Sequence, residues 1–372
     1  MMISHRAAAL AAVVAFVVGL LGSLSLRPAG GAAPDSTTAV NEQGGSARRV
    51  HWRMPISIAS TSPVLGEAPV WMARDLLNAS GGALQLDVYD PGELVPAFSI
   101  TDAVRDGKVP VGHIWLGYDQ GKIPVSTLFA ATPFGLEPWE YLGWWYEGGG
   151  AELADEIYAG HNIKPLLCGV IGPETAGWFR DPVESLEDIR GLKIRFAGLG
   201  GKVMEQAGAS VTMLPGGEIF QALEKGAIDA TEFSLPVMDE ALGFARVAKN
   251  NYYPGWHQTF TATHLVVNLD SWNGLSEADQ HMIKLACDGV TSLALAASEA
   301  RQGAVIEGFP AQGVKASYFD EGILRELQRI TGKVMAEESA NDADFARVLA
   351  SQNAFREQYQ YWKELGYLPR DF

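Results

Sequence analysis

From Val50 onward the chain alternates short β-like runs with helical stretches, and this alternation constrains the fold more than any other feature. HWRMPISIAS (51–60) reads as a strand, residues 69–77 as a helix, and ALQLDVYDPG as a strand ending in a turn, the order of a βαβ unit. Further strands are expected at 111–116, 164–169 and 192–196, with helices at 138–146 and 151–159 between them. An α/β body follows. At about 150 residues per domain, 372 residues imply two lobes. Ser276 and Asp279 open a helical pattern that runs to about residue 307, and its Ile283, Leu285, Leu293 and Leu295 are expected to pack along both lobes. Residues 345–365 place Phe355, Tyr359 and Trp362 on one aromatic helix face, which packs either on its own lobe or on a second copy.

The amino terminus is of another kind. His5 and Arg6 precede an uncharged apolar run over residues 7–26, then small residues and proline to Ala33, so residues 1–33 read as a secretory signal. An uncleaved anchor is the alternative, because the run could just span a bilayer. Both place the body outside the cytoplasm. Residues 34–49, rich in Gly, Ala, Ser and Thr, read as a flexible linker. Lys and Arg total 28 against 44 Asp and Glu, a formal charge of -16, which argues against nucleic acid as a partner. The two cysteines, Cys168 and Cys287, lie in apolar settings and read as buried free thiols rather than as a disulfide framework or a zinc site.

The segment 192–196 (LKIRF) is a strand that carries Arg195 among apolar neighbours and turns through a Gly-rich stretch into a helix. That order invites a dinucleotide site, but GLGGKV lacks the third glycine, and no acidic residue closes the next strand at the right distance. A helix N-terminus with a forked, permanently charged Arg still suits a carboxylate. Next, Gly216 and Gly217 open a helix ended by Gly226, and residues 228–232 deliver Glu232 and Phe233 to a strand end. YYPGWHQ (252–258) supplies aromatic walls and polar tips. Hydrolase motifs are missing, and the seven histidines show no metal spacing beyond the loose pair His257 and His264. Nothing here reads as catalytic.

In their combined order, GWFRDPVESLEDIRGLKIRFAG, the Gly-Gly helix, IDATEF and the long helix after LSEADQHMI resemble the solute receptors of tripartite ATP-independent periplasmic (TRAP) transporters. AATPFG, PETAGWFR, YYPGWHQ and FREQYQYW are similar to the 2-oxo acid and lactate receptors within that family. The resemblance implies a two-lobed periplasmic binding protein with an interlobe carboxylate site, a small organic acid as ligand and a membrane permease as partner. It implies lobes at about 50–170 with 264–308 and 171–263 with 309–344, and a dimer contact through 345–372. Arg195 matches the arginine that pairs with the substrate carboxylate. Glu174, Glu232, Gln258 and the carbonyl of Phe233 match metal-side positions, with Tyr118, Trp256 and His257 as pocket wall. Glu174 and Gln258 stand where those receptors are expected to carry Gln and Glu, so the pair is exchanged while the carboxylate count is kept. An all-oxygen set favours calcium or sodium over zinc or copper. The alternatives are a receptor for another carboxylate, such as a dicarboxylate or sugar acid, an exported nucleotide-dependent oxidoreductase, or a Glu174 that pairs with Arg180 and binds no metal.

Overall fold

The computed structural model describes residues 49–368; the expected signal segment and linker, apart from Arg49, lie outside them. Among the described residues no helix is long and apolar enough to cross a membrane. The expected alternation is present: β1 (Val50–Pro55), α1 (Glu67–Ala79), β2 (Leu84–Tyr89), α2 (Ile100–Arg105), β3 (Val111–Trp115), α3 (Ser126–Ala130), α4 (Pro138–Glu147), α5 (Gly150–Ala159) and β4 (Ile163–Ile171). β1 and β2 pair in parallel, β1 continues into a bridge from Ile56 to His113 on β3, and β3, β10 (Thr261–Asn268) and β4 form an antiparallel set.

A second sheet has the order β11-β9-β5-β8-β6-β7. Its strands are β5 (Gly177–Phe179), β6 (Lys193–Arg195), β7 (Ser210–Thr212), β8 (Ala230–Thr231), β9 (Asn250–Tyr253) and β11 (Lys315–Tyr318), with α6 (Gly198–Gln206), α7 (Gly216–Glu224) and α8 (Pro236–Ala241) between them. The chain crosses between the sheets at 172–176, at 254–260 and again after the long helix, at 309–314. Short irregular crossings beside sheet ends leave backbone and polar side chains available to a ligand, and Glu174, Trp256, His257 and Gln258 fall in them.

After the short α9 (Leu269–Asn273), Ser276 caps α10 (Glu277–Gly308) by accepting from Asp279 N at 3.1 Å, as the sequence predicts. Its buried face is Ile283, Cys287, Val290, Thr291, Ala294, Leu295 and Ser298. Leu285 and Leu293, expected inside, point to solvent at 56% and 44% exposure. The 3.6-residue period decides this, because both lie across the helix from the Ile283 and Leu295 stripe. The cysteines also differ from expectation: Cys168 on β4 and Cys287 on α10 are joined in a disulfide. An apolar flank identifies burial but not a partner, and here the helix lays one cysteine on the other across 119 residues of sequence.

The body ends in α11 (Glu321–Asn341) and α12 (Ala343–Gly366), the latter capped by Asp342, which accepts from Phe345 N at 2.8 Å. The α12 aromatic face divides. Phe355 is partly buried and stacks on Tyr359 at 6.0 Å, whereas Trp362 is 59% exposed.

Two histidines lie inside the first sheet. Burial pulls the pKa of His113 on β3 down to about 4 and that of His264 on β10 down to about 3. Both ring nitrogens of His264 lack a hydrogen-bond partner, and the ring meets the edge of Trp145 at 5.2 Å. The unfolded chain takes a proton at each site near pH ~6.5 and the folded one refuses it, so stability is full above that pH and drains as pH falls towards 4. Asp119, which burial pushes up to about 6, works in the opposite direction. The clean readout is therefore a difference. His264→Leu is expected to fold at neutral pH and to lose ~2 kcal/mol less than the wild type between about pH 7 and 5, measured by urea titration. Equal acid sensitivity in the two proteins would remove His264 from the account.

Candidate functional site

β6 and β8 run in parallel with Arg195 opposite Thr231, so the residues that follow β8, Glu232 and Phe233, emerge beside the Arg195 side chain. Arg195 Nη1 donates to Glu232 Oε1 at 2.7 Å and to the Glu232 carbonyl at 2.9 Å, and Nε donates to the Leu214 carbonyl at 3.1 Å. The guanidinium also lies over the Phe233 ring, 5.1 Å from its centroid. Glu232 Oε1 accepts a second bond, from Ala197 N at 2.7 Å, where the chain enters α6. The helix N-terminus that a dinucleotide would need for its pyrophosphate is thus already taken by a protein carboxylate. The pocket therefore offers no phosphate cradle at this turn.

The other half of the site comes from the crossings. Glu174 lies in the first and Trp256, His257 and Gln258 in the second, and Glu174 N donates to the Gln258 carbonyl at 3.2 Å. Their approach requires glycine at 255, where a Cβ would stand 2.3 Å from the Glu174 carbonyl oxygen. Gln258 Nε2 donates to Thr261 Oγ1 at 2.6 Å, and Thr261 Oγ1 donates to Glu174 Oε1 at 2.8 Å. Arg180, the alternative partner for Glu174, instead turns to the Leu223 carbonyl.

His257 stands between the carboxylates, its Nε2 3.5 Å from Glu232 Oε2 and 3.7 Å from Glu174 Oε2. Burial by itself lowers the pKa of this histidine, but the two carboxylates outweigh it and hold the value at about 9. For Glu232, burial is overcome by Arg195, His257 and the Ala197 amide, which keep the carboxyl below its usual range. Glu174 goes the other way: burial raises it more than His257 and Thr261 lower it. With both glutamates ionised, two negative charges face Arg195 and the imidazolium, and an added organic anion leaves the cavity net negative. A cation restores the balance. Any metal that takes an imidazole nitrogen here must displace its proton, because only the neutral ring ligates.

Arg195, Glu174, Glu232, Phe233, Gln258 and Tyr118 line one small cavity between the sheets, about 20 Å³ and so with room for little more than one water-sized sphere, whereas His257 is not among its lining residues. Trp256 is placed elsewhere, its ring stacked on Phe134 at 5.6 Å and tilted against Phe196 at 5.9 Å. Thr261 and Asp239 escape sequence reasoning. Asp239 accepts from Trp178 Nε1 at 2.8 Å and Ser234 N at 3.2 Å, and from Thr175 Oγ1 at 3.4 Å, so it ties together the backbone next to Glu174 and Phe233. No motif marks it. Burial pushes its carboxyl well above the usual range.

The donor set suits a metal ion. Glu174, Glu232 and His257 each offer one ligand atom within 4.8 Å of the others, all three residues are buried, and Glu174 Oε2 has no hydrogen-bond partner.

The family model for "Bacterial extracellular solute-binding protein, family 7" matches residues 56–341. A monocarboxylate 2-oxoacid-binding periplasmic protein of Nostoc sp. is 35% identical over 320 residues, 86% of this chain and 87% of that one. A TRAP transporter solute-binding protein from Bordetella bronchiseptica, a mixed-occupancy dimer with calcium and picolinate, superposes with a TM-score of 0.83 at 30% identity, covering 85% of this chain and 94% of its own. One from Pseudoalteromonas atlantica, with sodium and pyruvate bound, gives 0.82 at 29% identity over 85% and 97%. With the family go a binding role and no turnover, and the exported oxidoreductase alternative finds no support. The chain belongs to family 7 of the bacterial extracellular solute-binding proteins and is a solute receptor of the TRAP transporter type.

Proposed function

We propose that this receptor captures a small 2-oxo or 2-hydroxy monocarboxylate in the cavity between its sheets and delivers it, in the periplasm, to the membrane permease of a TRAP transporter. One observation carries the reading: a buried Arg195 stands beside two buried glutamates, one with an unpartnered oxygen, on one small cavity. Arg195 pairs with the acid's carboxylate and Tyr118 walls it. Glu174, Glu232, Gln258 and the Phe233 carbonyl would hold a calcium or sodium ion. Such an ion supplies the positive charge that lets a third carboxylate enter a cavity already holding two. The Nostoc relative's 2-oxoacids, and the picolinate with calcium and pyruvate with sodium of the solved relatives, support this choice of ligand and ion.

The lobes of this clamp follow the two sheets, 50–170 with 264–308 and 171–263 with 309–344, except that the first residues of β10 already pair in the first sheet. Residues 1–33 direct export of the body in this proposal. The exposed outer end of α12, with Tyr361, Trp362 and Leu365, and Leu368 just beyond it, forms a homodimer contact beside Trp139. Light scattering at micromolar concentration is expected to give twice the chain mass, and a monomer would sink that contact.

Calorimetry of pyruvate on chelator-stripped protein tests the ligand and the ion together. Binding is expected with calcium or sodium and to weaken at least ~10-fold in choline buffer, about 1.4 kcal/mol. Equal affinity in all three would refute the ion bridge. Chemical change of the acid during incubation, seen by NMR, would refute the receptor reading itself.

A further inference from the structure

We infer that Trp115 is a specificity residue of this receptor: its indole N–H donates to an oxygen on the second carbon of the acid, so that acids without an acceptor there bind more weakly. This rests on the proposal above that a small monocarboxylate enters the cavity. Trp115 ends β3 and lines that cavity. It is 5% exposed, and it alone among the tryptophans of the described residues has a buried indole nitrogen with no hydrogen-bond partner. An idle buried donor is costly, and a ligand oxygen relieves it.

Much of the other donor capacity on the cavity is already engaged. Gln258 Nε2 donates to Thr261 Oγ1, Thr261 Oγ1 to Glu174 Oε1, Ala197 N to Glu232 Oε1, and Arg195 Nε and Nη1 to the Leu214 carbonyl and to Glu232. The indole is also held in place from both sides. Trp115 N donates to Ser57 Oγ at 3.3 Å, Tyr118 meets the ring edge-on at 5.0 Å, and a Cβ on Gly117 would stand 2.1 Å from Trp115 Cη2, so glycine there leaves the ring its space. From the second sheet's side, the first residue of α6, Gly198, has φ +64°, and a Cβ on it would stand 3.0 Å from the same carbon. With about 20 Å³ free, an acid enters while the two sheets are parted, and their return brings the indole against it.

Hydrogen-bond polarity decides what the indole reads. Nε1 donates and cannot accept. A 2-oxo oxygen accepts, a 2-hydroxyl oxygen accepts as well as donates, a methylene offers nothing, and a 2-ammonium group sets donor against donor. The carboxylate of the acid is answered by Arg195, which leaves the indole for the neighbouring substituent. A site that loses a hydrogen bond discriminates more sharply than one that loses a methylene contact, because its polar group stays buried and unpaired.

Calorimetry of pyruvate and of propionate on the full-length wild type and on Trp115→Phe, with calcium and sodium present, reads the preference for the 2-oxo acid. Phenylalanine keeps an aromatic ring and removes the donor. Pyruvate affinity is expected to fall ~10-fold in the variant, with propionate affinity changed by less than ~3-fold. An equal loss for both acids, or an unchanged affinity for pyruvate, would overturn the inference and leave the receptor proposal intact. A wild type that binds neither acid would overturn both. Nitrogen-15 NMR of wild-type protein labelled at its indole nitrogens decides the donor even if the variant fails to fold. One indole N–H is expected to move downfield with pyruvate and not with propionate, and indole resonances that answer the two acids alike would overturn the inference.

Discussion

Arg195→Ala is expected to lower the affinity for pyruvate by ~2–5 kcal/mol, the cost of leaving a desolvated carboxylate without its charged partner. The structure makes this residue more than a surface charge. Its Nη1 and Nε hold Glu232 and the Leu214 carbonyl, and both Arg195 and Glu232 are almost wholly buried. Alanine therefore also strands Glu232, whose carboxyl Arg195 helps to hold below its ordinary range against burial. Removing one partner of a buried pair destabilises more than the pair stabilises, so the melting temperature should fall with the affinity. Arg195→Lys separates the two effects. A point charge can answer Glu232 but cannot reproduce the fork that reaches Glu232 and a ligand together, so the lysine variant should recover stability and only part of the binding. Calorimetry with pyruvate reads the affinity. Wild-type affinity in the lysine variant would assign Arg195 to structure alone.

Loss of the Cys168–Cys287 disulfide is expected to cost on the order of 4–5 kcal/mol of stability, the loop-closure entropy of a crosslink spanning more than a hundred residues. The bond ties β4, the third strand of its antiparallel set, to the middle of α10, along the helix face that is otherwise held by Ile283, Val290 and Ala294. Both cysteines are buried, so Cys168→Ser with Cys287→Ser adds two buried hydroxyls, and Cys→Ala replacements give the cleaner measurement. Guanidinium titration of the double alanine variant should show a lower midpoint with an increased unfolding slope, since the unfolded chain is freed to expand. An unchanged midpoint would mean that the bond adds nothing to packing already present. A structural disulfide also agrees with an extracellular family, because the cytosol keeps such thiols reduced.

The parts of this protein that were legible in its amino-acid sequence are those that local chemistry decides. The two periodicities, 2 for strands and 3.6 for helices, are written in neighbouring residues, and so is the Ser276 cap. The α/β class, the long helix and the placement of Arg195 at a strand end before a helix follow from them. So does the delivery of Glu232 to the end of β8, because a glycine-ended helix and a short strand precede it in sequence.

Tertiary structure alone decided which of these ends meet. In the second sheet β6 lies between β7 and β8 while β5 lies between β8 and β9, so Arg195 and Glu232 become neighbours through an order that no local pattern encodes. Two crossings far apart in the chain bring Glu174 against Gln258 and set His257 between the glutamates. Asp239 joins them only because its helix brings it to Thr175, Trp178 and Ser234, on the segments that carry Glu174 and Phe233. The cysteines show the same limit, since apolar flanks announce burial and only the lie of α10 across β4 supplies the partner. Leu285 and Leu293 show it in reverse: their hydrophobicity is local, but which side of a helix meets the core is settled by what packs against it. Elements form from short-range preferences, whereas a site is an intersection of distant segments whose free energy comes from burial and pairing across the whole fold.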